Sequence, residues 1–258
     1  MAAGKLNGTP VLMYHGIVAR GATGGDKYGI SRETFQRQLD ELTQRRLRVC
    51  TLSDLRDGKL DSPSVVITFD DGLVSDYVVA LPLLSERALT AHFFVNTSNV
   101  GMPGYMNWSQ VRKMDRAGMQ IGSHGHQHVD HSRPNEQTLV RELRMSREIL
   151  QNELGHEIEW FAPPYGFVNP KTVLAAKGAG FSGVATSRIA LAKPGIAVVP
   201  RVAIEASTTD REFSEIILGS ASIYLKKSVR AMGLYLPKQF LLRFKPSVLG
   251  VDVLQEHA

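Results

Sequence analysis

Val65-Val66-Ile67-Thr68-Phe69-Asp70-Asp71-Gly72 decides the fold of this chain. Its first five residues are too continuously apolar or β-branched for a half-exposed strand, so the strand is expected to be buried on both faces. Two adjacent carboxylates and a glycine follow directly. That order puts charged side chains at the C-terminal end of a buried strand, where α/β folds assemble their sites. Alone, Asp-Asp-Gly reads as an ordinary turn. Two later stretches change that reading: the histidine cluster Ser123-His124-Gly125-His126-Gln127-His128, and Phe161-Ala162-Pro163-Pro164-Tyr165-Gly166.

Upstream of this strand, Pro10 to Tyr14 reads as a first strand ending in His15-Gly16, and the glycine-rich segment 21–29 as a loop. Ser31 is a candidate N-cap for a helix whose Phe35, Leu39 and Leu42 share one face. A short strand over 49–52 leads into a helix start at Ser53. Downstream, helical spacing over 74–88 is expected to kink or break at Pro82. Ala91 to Val95 is the next strand, and Trp108 begins a helix ending near Gly118. A strand follows over 119–122, then a long helix from an Asn135 cap to Gly155, with Leu139, Leu143, Leu150 and Leu154 on its buried side. Trp160-Phe161, 182–186 and 198–204 read as strands, and 170–178 as a helix. Alternating short buried strands and helices specify a parallel α/β fold. Chemistry-bearing residues at several strand ends favour a barrel over an open sheet. The whole chain, 1–258, is expected to be one domain, with the barrel over about 8–210 and a basic, apolar helical extension over about 211–258.

At 258 residues and 43% hydrophobic composition the chain can bury a large core. The net charge of +5 and pI near 9.3 suit an anionic surface, but nucleic acid is not among the expected partners. The single cysteine, Cys50, rules out an internal disulfide framework and reads as a core thiol. Residues 1–8 contain no apolar secretion-signal core and no run reaches membrane-spanning length, so the expected setting is cytoplasmic. Between Ile216 and Val251 no acidic residue occurs, while Lys226, Lys227, Arg230, Lys238, Arg243 and Lys245 are interleaved with apolar residues. That segment is either a packed terminal helix with a solvated basic face or a peripheral contact with anionic lipid at the inner membrane face.

His124 and His128 are four residues apart, which on a helical turn places both rings on one face within reach of a single metal ion. Asp70 or Asp71 can supply a carboxylate from another strand end. Adjacent residues at a strand end point in different directions, so one binds the metal and the other is free to act as a general base on water. His126 is expected to face away from the ligands, and His131 lies beyond the turn.

These stretches resemble the polysaccharide deacetylase family, the NodB-homology or carbohydrate esterase family 4 enzymes. Its first motif is similar to Thr68-Phe69-Asp70-Asp71-Gly72, its second to Gly122-Ser123-His124 through His128, and its third, Arg-x-Pro-Tyr, to Ala162-Pro163-Pro164-Tyr165. Softer similarities are Val11 to Gly16, Phe35 to Leu39, Ala91 to Val95 and Trp108 to Arg112. The resemblance covers about 10–205. It implies a distorted (β/α) barrel and hydrolysis of an N-acetyl group from an amino sugar in a bacterial glycan or lipid-linked saccharide. Asp70 would be the general base, Asp71, His124 and His128 would hold a divalent metal, zinc being the expected ion, and the Tyr165 backbone N–H would help stabilise the oxyanion.

The chain also departs from the family pattern. Ala162 stands where the third motif has arginine, there is no aspartate-tryptophan fourth motif, and the fifth-motif histidine has only a poor echo at His257. Such departures resemble the branch acting on bacterial surface poly-N-acetylglucosamine. His15 is therefore the candidate general acid, and Arg201 the candidate replacement for the missing arginine. Two alternatives share the scaffold: a cyclic amide or imide hydrolase, and a non-catalytic glycan-binding relative.

Overall fold

The structure is a computed structural model that describes residues 8–18, 27–60, 63–128, 136–166 and 168–244. Its first strands are β1 (Val11–Tyr14), β2 (Ile17–Val18) and β3 (Ile30–Ser31), followed by helix α1 (Arg32–Gln44). Ser31 caps α1 by accepting the Thr34 N–H, and Phe35, Leu39 and Leu42 are its buried face. The short strand near Cys50 ends earlier than its apolar pattern suggests. β4 is Arg48–Val49, because Thr51 starts α2 (Leu52–Arg56) with a reciprocal cap to Asp54. β5 (Ser64–Phe69) is buried along its whole length.

After β5 the chain winds through a π-helical turn, Asp76–Ala80, into α3 (Leu81–Ser85). Pro82 does not end the helix, which is continuous over 74–85; the regular ladder is interrupted instead by the π-helical turn directly before it. β6 (His92–Val95), α4 (Trp108–Arg116), β7 (Gln120–Ser123), α5 (Glu136–Leu154) and β8 (Trp160–Phe161) follow. The expected cap Asn135 lies outside the described residues. The unit then adds α6 (Pro170–Gly178), β9 (Gly183–Ala185), β10 (Val198–Val199), β11 (Val202–Ala203) and α7 (Asp210–Ile217). The single strand expected over 198–204 is thus two, separated by Pro200 and Arg201.

All pairings in the main sheet are parallel, in the order β10-β9-β8-β7-β6-β5-β1-β11, with β4 also on β5. β10 and β11 lie at opposite ends of that path, yet only two residues separate them. A flat sheet of eight strands would hold its edges about 33 Å apart. The link between them reaches only about 11 Å. The sheet therefore curls until its edges approach, giving the barrel that the strand pattern predicts, in the distorted form that the resemblance implies.

Alternation along the strands sorts the two faces. Outward, Tyr14, Phe69 and Phe93 stack in register across β1, β5 and β6, with ring centroids 5.2 and 4.8 Å apart. The Tyr14 hydroxyl donates to Gln38 Oε1 of α1 at 2.9 Å. Inward, Val11, Val66, Phe94, Trp160, Ala162, Ala185 and Val199 join Cys50, Leu52 and Leu55 in one cluster. Burial pushes the Cys50 thiol up to about 12, as expected of a core cysteine.

The chain divides into two units at Ser220–Ala221, and α8 (Ala221–Phe244) belongs to the second. In α8, Leu225, Val229 and Met232 are exposed. Among the described residues no helix is long and apolar enough to cross a membrane.

Candidate active site

Period-two alternation in β5 sends Val66 and Thr68 inward and carries Asp70 to the same face at the strand's end. There it meets Arg201, from the Pro200–Arg201 link that joins the two edges of the sheet. Arg201 is fully buried and clamps Asp70 with both terminal nitrogens, Nη1 to Oδ1 at 2.6 Å and Nη2 to Oδ2 at 2.8 Å. Nη1 also donates to Thr68 Oγ1 at 3.1 Å, and Nε to the Thr186 carbonyl at 3.1 Å. The guanidinium lies 5.3 Å from the Phe94 ring centroid. A charge removed from water this completely persists only when its donors are satisfied in this way. Burial alone would raise the Asp70 carboxyl, but Arg201 and then His124 outweigh it and hold it below the usual carboxylate range. Asp70 is thus ionised and fixed in orientation.

Asp71 leaves that face because Asp71 and Gly72 are both left-handed, with φ of 78° and 73°. Asp tolerates that region, and at Gly72 an added Cβ would also come within 3.3 Å of Val95 Cγ1. The turn swings the Asp71 carboxylate toward two imidazoles. Its Oδ1 is 3.3 Å from His124 Nε2 and 3.2 Å from His128 Nε2. Burial opposes ionisation of Asp71, yet the two rings keep it well below the ordinary carboxylate range.

His124 and His128 do not meet on a helix, as their spacing suggests. They occupy an irregular turn after β7, with Gly125 at φ 80° and His128 at φ 54°. The His124 N–H extends the β7 ladder by donating to the Val95 carbonyl at 2.8 Å. Its ring Nδ1 lies 2.8 Å from the Ala162 carbonyl oxygen, which makes Nδ1 the donor and turns Nε2 toward Asp71. Among the described residues Asp71, His124 and His128 are the group able to hold a metal, their ligand atoms all within 4.8 Å of one another. Tetrahedral zinc with bonds of about 2.0–2.2 Å sets neighbouring ligand atoms about 3.3 Å apart. The two Oδ1–Nε2 separations match that edge, and two imidazoles with one carboxylate are suitable donors, so the residues present fit a divalent ion.

The remaining expected residues surround this triangle. Tyr165, at φ 59°, presents an exposed ring edge-on to His128, with centroids 4.9 Å apart. His15 follows β1 and stacks on Tyr28 at 4.6 Å. Burial lowers its basicity, an effect partly offset by the charges of Asp70 and Asp71. Its buried Nδ1 has no hydrogen-bond partner among the described residues. Ala162 contributes its carbonyl to His124 and its side chain to the core, while Arg201 supplies the guanidinium from another strand end. The His126 ring turns from the cluster to the Thr97 hydroxyl, with Nδ1 2.9 Å from Oγ1. His131 and His257 lie outside the described residues.

The sequence pattern did not single out Thr68 or Asp76. Thr68 could have been found from the β5 alternation, which puts it on the face of Asp70. Asp76 offered no such signal, since it looks like a polar residue of an ordinary surface helix.

Residues 57–184 match the family model described as polysaccharide deacetylase. YxkH of Bacillus subtilis is 26% identical over 183 residues, 69% of this chain and 64% of that protein. The poly-β-1,6-N-acetyl-D-glucosamine N-deacetylase of Staphylococcus aureus is 26% identical over 171 residues, 59% of each chain. The chain thus spans less than two thirds of the length of either relative. The structure of IcaB from Ammonifex degensii superposes with a TM-score of 0.71 at 31% identity, covering 81% of this chain and 95% of that one. With those similarities and the motifs gathered at one mouth of the barrel, the chain belongs to the polysaccharide deacetylase family.

Proposed function

We propose that this protein is a metal-dependent N-deacetylase that hydrolyses the acetamido group of an amino sugar in a bacterial glycan. One observation carries the reading: Asp70, clamped by Arg201, adjoins the Asp71–His124–His128 triangle at the same strand end. Zinc, held by Asp71, His124 and His128, would supply Lewis-acid polarisation of the acetyl carbonyl and acidify water. Asp70 accepts the proton of the attacking water as its oxygen bonds to the acetyl carbon. Arg201 keeps the carboxylate aimed and ionised, at some cost in basicity, because a lowered pKa weakens the driving force for proton abstraction. The Tyr165 N–H donates to the carbonyl oxygen as negative charge develops there. His15, in its imidazolium form, delivers a proton to the nitrogen as the C–N bond breaks, releasing acetate and a free amine. The exposed Tyr165 ring offers an apolar face to a sugar. The Staphylococcus aureus relative's name makes β-1,6-linked N-acetylglucosamine oligomers the first substrates to try.

Acetate release and metal content test the reading together. Asp70→Asn should keep its metal while turnover falls by about two to four orders of magnitude. The His124→Ala/His128→Ala double variant should lose both. Near-normal turnover in Asp70→Asn would assign the base elsewhere.

We further propose that α8 contacts an anionic membrane surface, the setting in which a lipid-linked saccharide would be met. The support is the exposed Leu225, Val229 and Met232, spaced along one helical face, within a stretch free of acidic residues. Each basic residue near such a surface contributes about 1 kcal/mol, screened by salt. Flotation with anionic liposomes at low salt, lost at high salt and absent with neutral vesicles, is the expected result. Equal partitioning with both kinds of vesicle would refute the contact.

A further inference from the structure

His124 and His128 are oriented by different means. The His124 ring is pinned through Nδ1 by the Ala162 carbonyl. For His128, among the described residues, no hydrogen bond reaches the second ring nitrogen, and its side chain is a quarter exposed. Beyond the Asp71 carboxylate and the edge of the Tyr165 ring, its aim depends on the backbone of the turn, which must hold a non-glycine residue at φ 54°.

That turn is held from two sides. From the β6 side, the Thr97 and Ser98 N–H groups donate to the Gly125 and His126 carbonyls at 3.2 and 3.0 Å. From α5, a single oxygen of Glu142, Oε2, accepts both the His126 N–H at 3.0 Å and the Gln127 N–H at 2.7 Å. Glu142 is 4% exposed and shares the buried side of α5 with Leu139, Leu143 and Ser146. A second tie lies beside it. Ser146 Oγ donates to the Leu143 carbonyl at 3.1 Å, so Ser123 Oγ donates to Ser146 Oγ at 2.7 Å and accepts the Gly125 N–H at 3.1 Å. A carboxylate among apolar side chains is costly to bury unless it is hydrogen-bonded. Here, two successive backbone N–H groups converge on one oxygen, the arrangement of an anion-binding nest filled from within the protein.

We propose that Glu142 is a positioning residue for His128, fixing the backbone of the 124–128 turn so that the partly exposed imidazole points at the metal position. Glu142 itself touches neither metal nor substrate. This inference rests on the metal reading of Asp71, His124 and His128.

Zinc affinity, measured by competition with a chromophoric chelator, and the unfolding midpoint of the metal-free protein separate positioning from plain packing. Glu142→Ala should bind zinc about 10–100-fold more weakly, the scale for losing a group that orients a ligand. Glu142→Gln keeps an oxygen in place for the same two N–H groups and should fall between the two. In a His128→Ala background, Glu142→Ala should cause no further loss. Wild-type affinity in Glu142→Ala, or an equal loss with and without His128, overturns the proposal even if the midpoint drops. Should Glu142→Ala fail to fold, Glu142→Leu, which fills the space but has no acceptor for either N–H, decides, and wild-type affinity there overturns the proposal too. If wild-type protein and His128→Ala bind zinc equally, the metal reading itself is wrong and the inference falls with it.

Discussion

Asp70 and Asp76 are both buried aspartates, 3% and 0% exposed, on either side of the same turn, and their environments drive them to opposite charge states. Asp70 meets a guanidinium with two well-aligned donors and stays ionised. Neither oxygen of Asp76 has a hydrogen-bond partner among the described residues. Burial, and then the neighbouring charges of Asp71 and Asp70, push its carboxyl well above the usual range. The backbone at Leu73 favours ionisation but is too poorly placed for a hydrogen bond, and it is outweighed. Burial therefore does not decide the charge of a carboxyl. The partner does, and in this barrel the partner arrives from the link that joins the two edges of the sheet.

The most disruptive way to break the contrast is to make Asp70 resemble Asp76. Arg201→Met leaves a buried carboxylate unpaired and should cost about 3–5 kcal/mol of stability, read from urea unfolding at pH 7. Acetate release should fall with it. Adding Asp70→Asn should recover much of the lost stability but no activity, because the uncompensated charge is gone while the base remains absent. A double variant no more stable than Arg201→Met would mean that lost packing, not lost charge pairing, set the cost.

Asp76→Asn tests the other side of the contrast and should stabilise the protein. A carboxyl with a raised folded pKa holds a proton that the unfolded chain releases, so folding loses stability as pH climbs above the unfolded value near about 3.9. The loss is about 1.4 kcal/mol per pH unit until the folded pKa is reached. An asparagine has no such slope. Urea unfolding at pH 5 and pH 8 should show the advantage of Asp76→Asn growing with pH. A constant or shrinking difference would mean that Asp76 is ionised in the fold.

The smallest change sharpens the Asp70 side without removing either charge. Thr68 Oγ1 accepts from Arg201 and donates to the Leu12 carbonyl at 2.8 Å. Thr68→Val keeps the shape and should cost about 1 kcal/mol. Its effect on acetate release should be roughly tenfold or less, since the Arg201–Asp70 clamp remains. A loss as large as that of Arg201→Met would make Thr68, rather than the ion pair, the element that orients the base.

What could be read from the sequence was local in origin. The unbroken apolar run of β5 announced a doubly buried strand, and the residues directly after it had to emerge at its end. Asp70 and Asp71 were therefore legible, as was the division of their directions, because alternation and a following glycine are properties of adjacent residues. The histidine pair was legible as ligands but not in conformation. A four-residue spacing is compatible with a helix, whereas two left-handed residues and the Glu142 clamp make it a turn. The Arg201–Asp70 pair joins residues 131 positions apart, and nothing in the local pattern of Pro200-Arg201-Val202 distinguishes a buried clamp from an exposed strand residue. Glu142 left one mark, a carboxylate on the apolar side of α5, but its purpose required the turn it holds. Burial and pairing of charge depend on groups that only the closed sheet brings together, so strand position followed from the sequence, while the charge state of Asp70 and Asp76 and the aim of His128 were decided by the tertiary structure.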